Sequence, residues 1–219
     1  MHTYHKLHIP EGLVVFISGV PGVGKTTISY ELFKRYDEFR VIQETDLIRE
    51  ILRGYNKYVK SLIDDKSVLS TIQEKIYIPD HMKIFNYIEL REQCSIMKKS
   101  IEEIVFRQQR KGISSIINGV HIVPEILNGI VQNNNLVYIN LYIRNKDILL
   151  ERLLGRDENK YMPYLDVSFE TNCSLYKSTS IISKKYPLIF HNIDVTDLKV
   201  DEVVDKAMDF ILLDRNHDV

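Results

Sequence analysis

LVVFISGVPGVGKTTISY, residues 13–30, reads as an apolar strand, a glycine-rich loop and the start of a helix. Gly19-Val20-Pro21-Gly22-Val23-Gly24-Lys25-Thr26 fits G-x-x-x-x-G-K-[ST] at every fixed position. Four such positions coincide by accident in roughly one chain in a hundred of this length, and the flanking strand and helix make accident rarer. Gly22 and Gly24 let the backbone turn with its N–H groups inward, where a side chain would block a polyphosphate. The helix that opens near Lys25 adds its N-terminal partial positive charge. Lys25 is placed to reach the β- and γ-phosphates of ATP, and the Thr26 hydroxyl to ligate Mg²⁺. Gly19, Pro21, Gly22, Val23, Gly24, Lys25, Thr26 and Thr27 form the expected nucleotide site.

Around this stretch, Leu13–Ser18 is expected as a strand buried on both faces and Lys25–Tyr36 as the first helix. Arg40–Glu44 is a second short strand, and Asp46–Arg53 a helix ended by Gly54. Residues 54–81 are mixed and polar, and are taken as an insertion capping the substrate over the C-terminal edge of the sheet. Met82–Arg110 is a long helix, with Cys94, Met97, Ile101, Ile104 and Val105 on one face. Ile113–Asn118, Leu136–Ile143 and Pro187–His191 complete five strands. Helices at Pro124, Asn145–Leu154, Asp166–Lys185 and Asp197–Leu213 alternate with them. The alternation predicts an α/β fold: a doubly wound, mainly parallel five-stranded sheet of the phosphate-loop kinase type, in one domain with a lid at 152–163.

A net charge of −1 with no arginine-rich block argues against a nucleic-acid partner. Cys94 and Cys173 stand in no metal-ligand spacing. With no signal-peptide-like segment and no run approaching 18 apolar residues, they lead to the expectation of a cytoplasmic protein without membrane partner, a monomer or homodimer. His2, His5 and His8 read as a solvated terminus rather than a metal cluster.

A GTPase needs N-K-x-D after a strand, whereas Asn145-Lys146-Asp147 puts the aspartate one position early. An AAA-type motor needs a strand ending in paired acids, whereas the third strand ends Ile117-Asn118-Gly119. A small-molecule kinase remains, with a carboxylate at the end of the second strand and an arginine-bearing lid after the fourth. Glu44 and Asp46 meet the first requirement. Asp46 reads either as the base or orienter for the acceptor hydroxyl or as the N-cap of its helix. Arg49 and Arg53, at offsets 3 and 7, share its face and suit an acceptor that already carries an anionic group, although surface arginines read the same way. Arg152, Arg156 and Lys160 surround the lid; Arg156 is the favoured catalytic cation.

Residues 19–27 (GVPGVGKTT), 45–50 (TDLIRE) and 119–124 (GVHIVP), with Gln93 on the helix before the third strand, resemble the archaeal-type 2-phosphoglycerate kinases over roughly residues 13–215. The resemblance implies transfer from ATP to 2-phosphoglycerate, with Asp46 and Arg49 serving the acceptor and His121 lining its pocket. On spacing alone His121 reads as a satisfied loop histidine. Three departures fall in the acceptor half. Asn118 replaces the family's glutamate, Glu44 stands where a small polar residue is expected, and Asn172-Cys173 occupy the region of a downstream arginine. The acid is therefore expected to have moved to the second strand, making Glu44 a candidate metal partner beside Thr26.

Overall fold

The computed structural model describes residues 9–61, 86–131 and 135–213. Five parallel strands form one sheet in the order β2-β3-β1-β4-β5. They are β1 (Val14–Ser18), β2 (Val41–Glu44), β3 (Ser115–Gly119), β4 (Leu136–Tyr142) and β5 (Phe190–Asp194). The helices are α1 (Lys25–Arg35), α2 (Thr45–Ser61), α3 (Tyr87–Arg110), α4 (Lys146–Leu154), α5 (Glu158–Tyr161), α6 (Leu165–Ser183) and α7 (Val200–Leu212). Short 3₁₀ turns occupy Pro124–Gly129 and Met162–Tyr164.

Central β1 is buried along its whole length, as its unbroken apolar run requires of a strand covered on both faces. α1 and α7 pack together on one face, and α3 and α6 on the other. α3 presents Leu90, Cys94, Met97, Ile101 and Val105, all fully buried, each aliphatic side chain contributing about 1.5–3 kcal/mol of transfer free energy. Burial pushes the Cys94 thiol well above its ordinary pKa, so it remains a neutral, unreactive core group. Because the strand order reverses around β1, the crevice at the C-terminal ends of β1 and β3 is where this topology places a ligand.

Three boundaries differ most from expectation. α2 does not stop at Gly54, which keeps a helical conformation rather than the left-handed one that ends helices; passing through it costs only about 1 kcal/mol. The first part of the expected 54–81 insertion is thus helix to Ser61, and the remainder, 62–81, lies outside the described residues, as do 82–85 and the three N-terminal histidines. α3 opens at Tyr87 because the Asn86 side chain accepts from the Glu89 N–H at 2.9 Å. β5 begins three residues later than the apolar run Pro187–Ile189. That run is a turn in which the Ile189 and Phe190 N–H groups both donate to the Tyr186 carbonyl, and pairing with β4 starts only at Phe190. Among the described residues, no helix is long and apolar enough to cross a membrane.

Candidate active site

β1 delivers the chain into the loop 19–24, and Gly24 takes a left-handed conformation (φ 94°) as the residue before α1. No side chain caps α1 and no acid lies in its first turn, so its leading N–H groups are left to an anion. Thr26 and Thr27 are exposed on that turn. The Lys25 ammonium donates to the Val20 carbonyl at 2.9 Å. Burial lowers its pKa to about 8; the charges of Asp46 and Glu44 oppose that shift and that of Arg156 adds to it.

These groups share one pocket. Pro21, Lys25 and Thr26 line it from the loop and α1, and Glu44 and Asp46 from the β2–α2 corner. Asn118, Gly119 and Val120 line it from the end of β3, and Arg156 and Tyr161 from the segment after α4. In the parallel register Glu44 stands directly beside Asn118, so the carboxylate is one strand away from the position where the resemblance expects an acid. The β2–α2 corner is held against β3 by near contact. A Cβ at Gly119 would lie 1.7 Å from Thr45 Oγ1, so only glycine lets α2 start there.

α2 begins at Thr45, directly after β2, so Asp46 lies inside its first turn and is not the N-cap. Arg49 is 5% exposed; its Nη1 lies 3.7 Å from Asp46 Oδ1, and its Nη2 donates to Glu50 Oε1 at 3.0 Å. Arg53 donates to the same Glu50 oxygen at 3.1 Å. Hydrogen bonding from Arg49, with the Arg53 charge, holds the Glu50 carboxyl below its ordinary pKa. The three side chains expected to converge on an acceptor thus form a chain joined by Glu50. Neither arginine lines the pocket. His121, expected in the pocket wall, is fully buried and contacts Asp46 from behind, on a segment whose Ile122 carbonyl accepts from the Ser18 hydroxyl.

Of the lid cations, Arg156 reaches the pocket. Arg152 turns away, its Nη2 donating to the Val195 and Thr196 carbonyls at 3.0 and 3.2 Å, so it fastens the loop after β5. The Lys160 side chain lies outside the described residues. Asn145 caps α4 by accepting from the Asp147 N–H at 2.8 Å, a structural use of the segment that resembles a guanine motif. Asn172 accepts from the Ile143 N–H and donates to the Ile143 carbonyl, fixing the end of β4 where an arginine was sought. Tyr161 and Glu50 were missed. Glu50 was legible as a helix pair, three residues before Arg53. Nothing in the sequence singles out Tyr161.

Among the described residues, no three His, Cys, Asp or Glu side chains converge to hold a metal by themselves. Thr26 and Glu44, lining one pocket, fit a Mg²⁺, which is commonly bound through one or two protein oxygens together with substrate phosphates.

The lysine gives a pH signature. Above about pH 8 the folded chain has released a proton that an unfolded lysine keeps to about 10.5. Unfolding therefore takes up a proton in that window, and this group's contribution to stability rises with pH through it. A bound polyphosphate restores the ammonium. ATP binding near pH 9 is therefore expected to take up a proton, and affinity to fall as pH rises through about 8. Calorimetry in two buffers of different ionisation enthalpy checks this; equal heats near pH 9 would contradict the Lys25 assignment.

The strand order, the loop and the charged groups facing Lys25 define a phosphate-loop nucleotide-binding domain. Residues 15–171 match the family described as AAA domain, and the chain belongs to it. The motor ATPases set aside above share that name, but the feature that excluded them, a β3 ending in Asn118-Gly119, stands in the structure. Relatives of the chain include three 2-phosphoglycerate kinases. That of Thermococcus kodakarensis is 30% identical over 70% of this chain and 53% of its own length. That of Methanocaldococcus jannaschii is 27% identical over 91% and 63%, and that of Pyrococcus horikoshii 27% over 95% and 66%. The chain thus spans between about half and two thirds of the length of these relatives.

Proposed function

We propose that this protein transfers the γ-phosphoryl group of ATP, with Mg²⁺, to a hydroxyl of a small anionic metabolite, with 2-phosphoglycerate the leading acceptor. The observation that carries the reading is the pocket in which Lys25, Glu44, Asp46 and Arg156 face one another at the C-terminal edge of the sheet. In the proposed reaction the acceptor oxygen attacks the γ-phosphorus, the bond to the β–γ bridging oxygen breaks, and the acceptor proton passes to Asp46. Lys25 and Arg156 offset the charge spread over the transferring oxygens. Thr26 and Glu44 would hold a Mg²⁺, which would supply further neutralisation of the phosphates. Arg49 and Arg53 are the α2 cations proposed for the acceptor's anionic group, taken in exchange for Glu50. The names of the relatives support the choice of acceptor.

The test is ATP consumption with and without 2-phosphoglycerate, with products read by mass. Phosphate transfer to 2-phosphoglycerate supports the whole reading. Transfer only to another metabolite of a panel keeps the kinase and replaces the acceptor, an outcome favoured by Asn118 and Asn172 standing where the resemblance expects charged groups. Hydrolysis indifferent to every acceptor overturns it in favour of an ATPase or switch.

The segment 152–163 carries Arg156 and Tyr161 to the pocket and is proposed to close on bound ligands. Its amide exchange is expected to slow when an ATP analogue and acceptor are both bound. Exchange unchanged by both would remove the lid assignment.

A further inference from the structure

Asp46 has a divided environment. His121 Nδ1 is 3.4 Å from its Oδ1, and Arg49 Nη1 is 3.7 Å from the same oxygen. Among the described residues, no ion pair or hydrogen bond reaches Oδ2, and the carboxylate side chain is 54% exposed toward the pocket it lines. An ionised carboxylate only accepts, so the contact with His121 is attractive only with the proton on Nδ1. The same nitrogen lies 3.2 Å from Thr45 Oγ1, so one ring nitrogen spans the first two residues of α2. The ring sits beside a fixed stretch of backbone. It is fully buried, and the carbonyl of the next residue, Ile122, accepts from Ser18 Oγ at 2.6 Å and from the Tyr138 hydroxyl at 3.2 Å. Thr45 is held in turn by its near contact with Gly119.

We infer that His121 is a positioning residue for the acceptor base: its Nδ1–H, with Arg49, anchors Oδ1 of Asp46 and leaves Oδ2 to take the acceptor proton. The histidine thereby acts through the carboxylate and never touches substrate. Rotation of an unanchored carboxylate would carry Oδ2 away from the line of attack, and misplacement on the scale of 1 Å costs about 10²-fold in rate. The inference rests on the kinase reading proposed above for its catalytic part, while the contact itself is a property of the protein alone.

Two measurements test it. In the protein labelled with ¹⁵N-histidine, the His121 signals, assigned by their loss in His121→Asn, are expected to show a protonated Nδ1 that shifts in Asp46→Asn. An unprotonated Nδ1, or one indifferent to Asp46→Asn, overturns the inference whatever the protein catalyses. In kinetics, His121→Ala is expected to lower kcat about 10²-fold with ATP KM unchanged, and His121→Asn, whose side-chain N–H replaces the donor, to recover most of it. Added to Asp46→Asn, His121→Ala is expected to cost nothing further. Full additivity of the two substitutions would overturn the inference, since a merely structural histidine loses stability independently of Asp46. Should the wild-type protein phosphorylate no acceptor while the Nδ1 signal behaves as expected, the proposed function falls and the anchored carboxylate stands.

Discussion

Lys25→Ala is expected to lose phosphoryl transfer to the limit of detection. Removing one preorganised donor from a developing anion costs about 10²–10³ in kcat, and Lys25 serves binding of the same phosphates as well. Its surroundings show where its energy goes. Burial destabilises the ammonium enough to bring its pKa to about 8, against the opposing pull of Asp46 and Glu44. A charge held at that cost in the pocket is repaid when polyphosphate enters. Outside its role with phosphate, the ammonium makes one hydrogen bond among the described residues, to the Val20 carbonyl of its own loop. Because the variant removes a charge whose burial disfavours the folded state, it is expected to melt no lower than the wild type at neutral pH, and a melt run beside the assay separates a dead enzyme from an unfolded one. Near-normal turnover by a folded Lys25→Ala protein would refute the kinase mechanism.

Asp46→Asn carries the second large effect, a fall in kcat of roughly 10²–10⁴, the range for a positioned acid–base group. ATP binding should barely change, because the phosphate loop is untouched. The competing reading was a helix cap, whose loss costs about 1 kcal/mol of stability and little activity. With α2 starting at Thr45, what remains of that reading is a first-turn charge facing the helix dipole, an exposed contribution of about 0.3–1 kcal/mol. Steady-state kinetics and thermal melts on one preparation distinguish the two. A protein slightly less stable but fully active would reduce Asp46 to that charge and leave the acceptor without a base. Arg49→Ala, beside it, is expected to raise acceptor KM about ten- to a hundred-fold, the loss of one charge-assisted hydrogen bond, and to lower kcat as well because Asp46 loses one of its two anchors. Its near-complete burial between Asp46 and Glu50 adds a stability loss that the melt should also show.

Much of this was legible in residues 13–30, because a phosphate loop is local chemistry: spacing within eight residues decides where N–H groups, lysine and hydroxyl point. The apolar face of α3 was legible for the same reason, since helical periodicity alone brings Cys94, Met97, Ile101 and Val105 to one side. Boundaries were less so. Gly54 and the run Pro187–Ile189 each admit two local conformations, and pairing or packing elsewhere selects one.

By itself, then, the sequence determined the α/β alternation, the nucleotide loop and the short list of charged residues from which a site is built. Tertiary structure alone decided which of them meet. Parallel register set Glu44 beside Asn118, and the turn after β3 put His121 behind Asp46, in contact with a threonine 76 positions away along the chain. It also turned Arg152 to the β5 loop while leaving Arg156 at the pocket. The physical reason is range. Parallel strands join through long crossovers, so residues at adjacent strand ends are neighbours only once the whole sheet has formed, and no local propensity encodes that meeting.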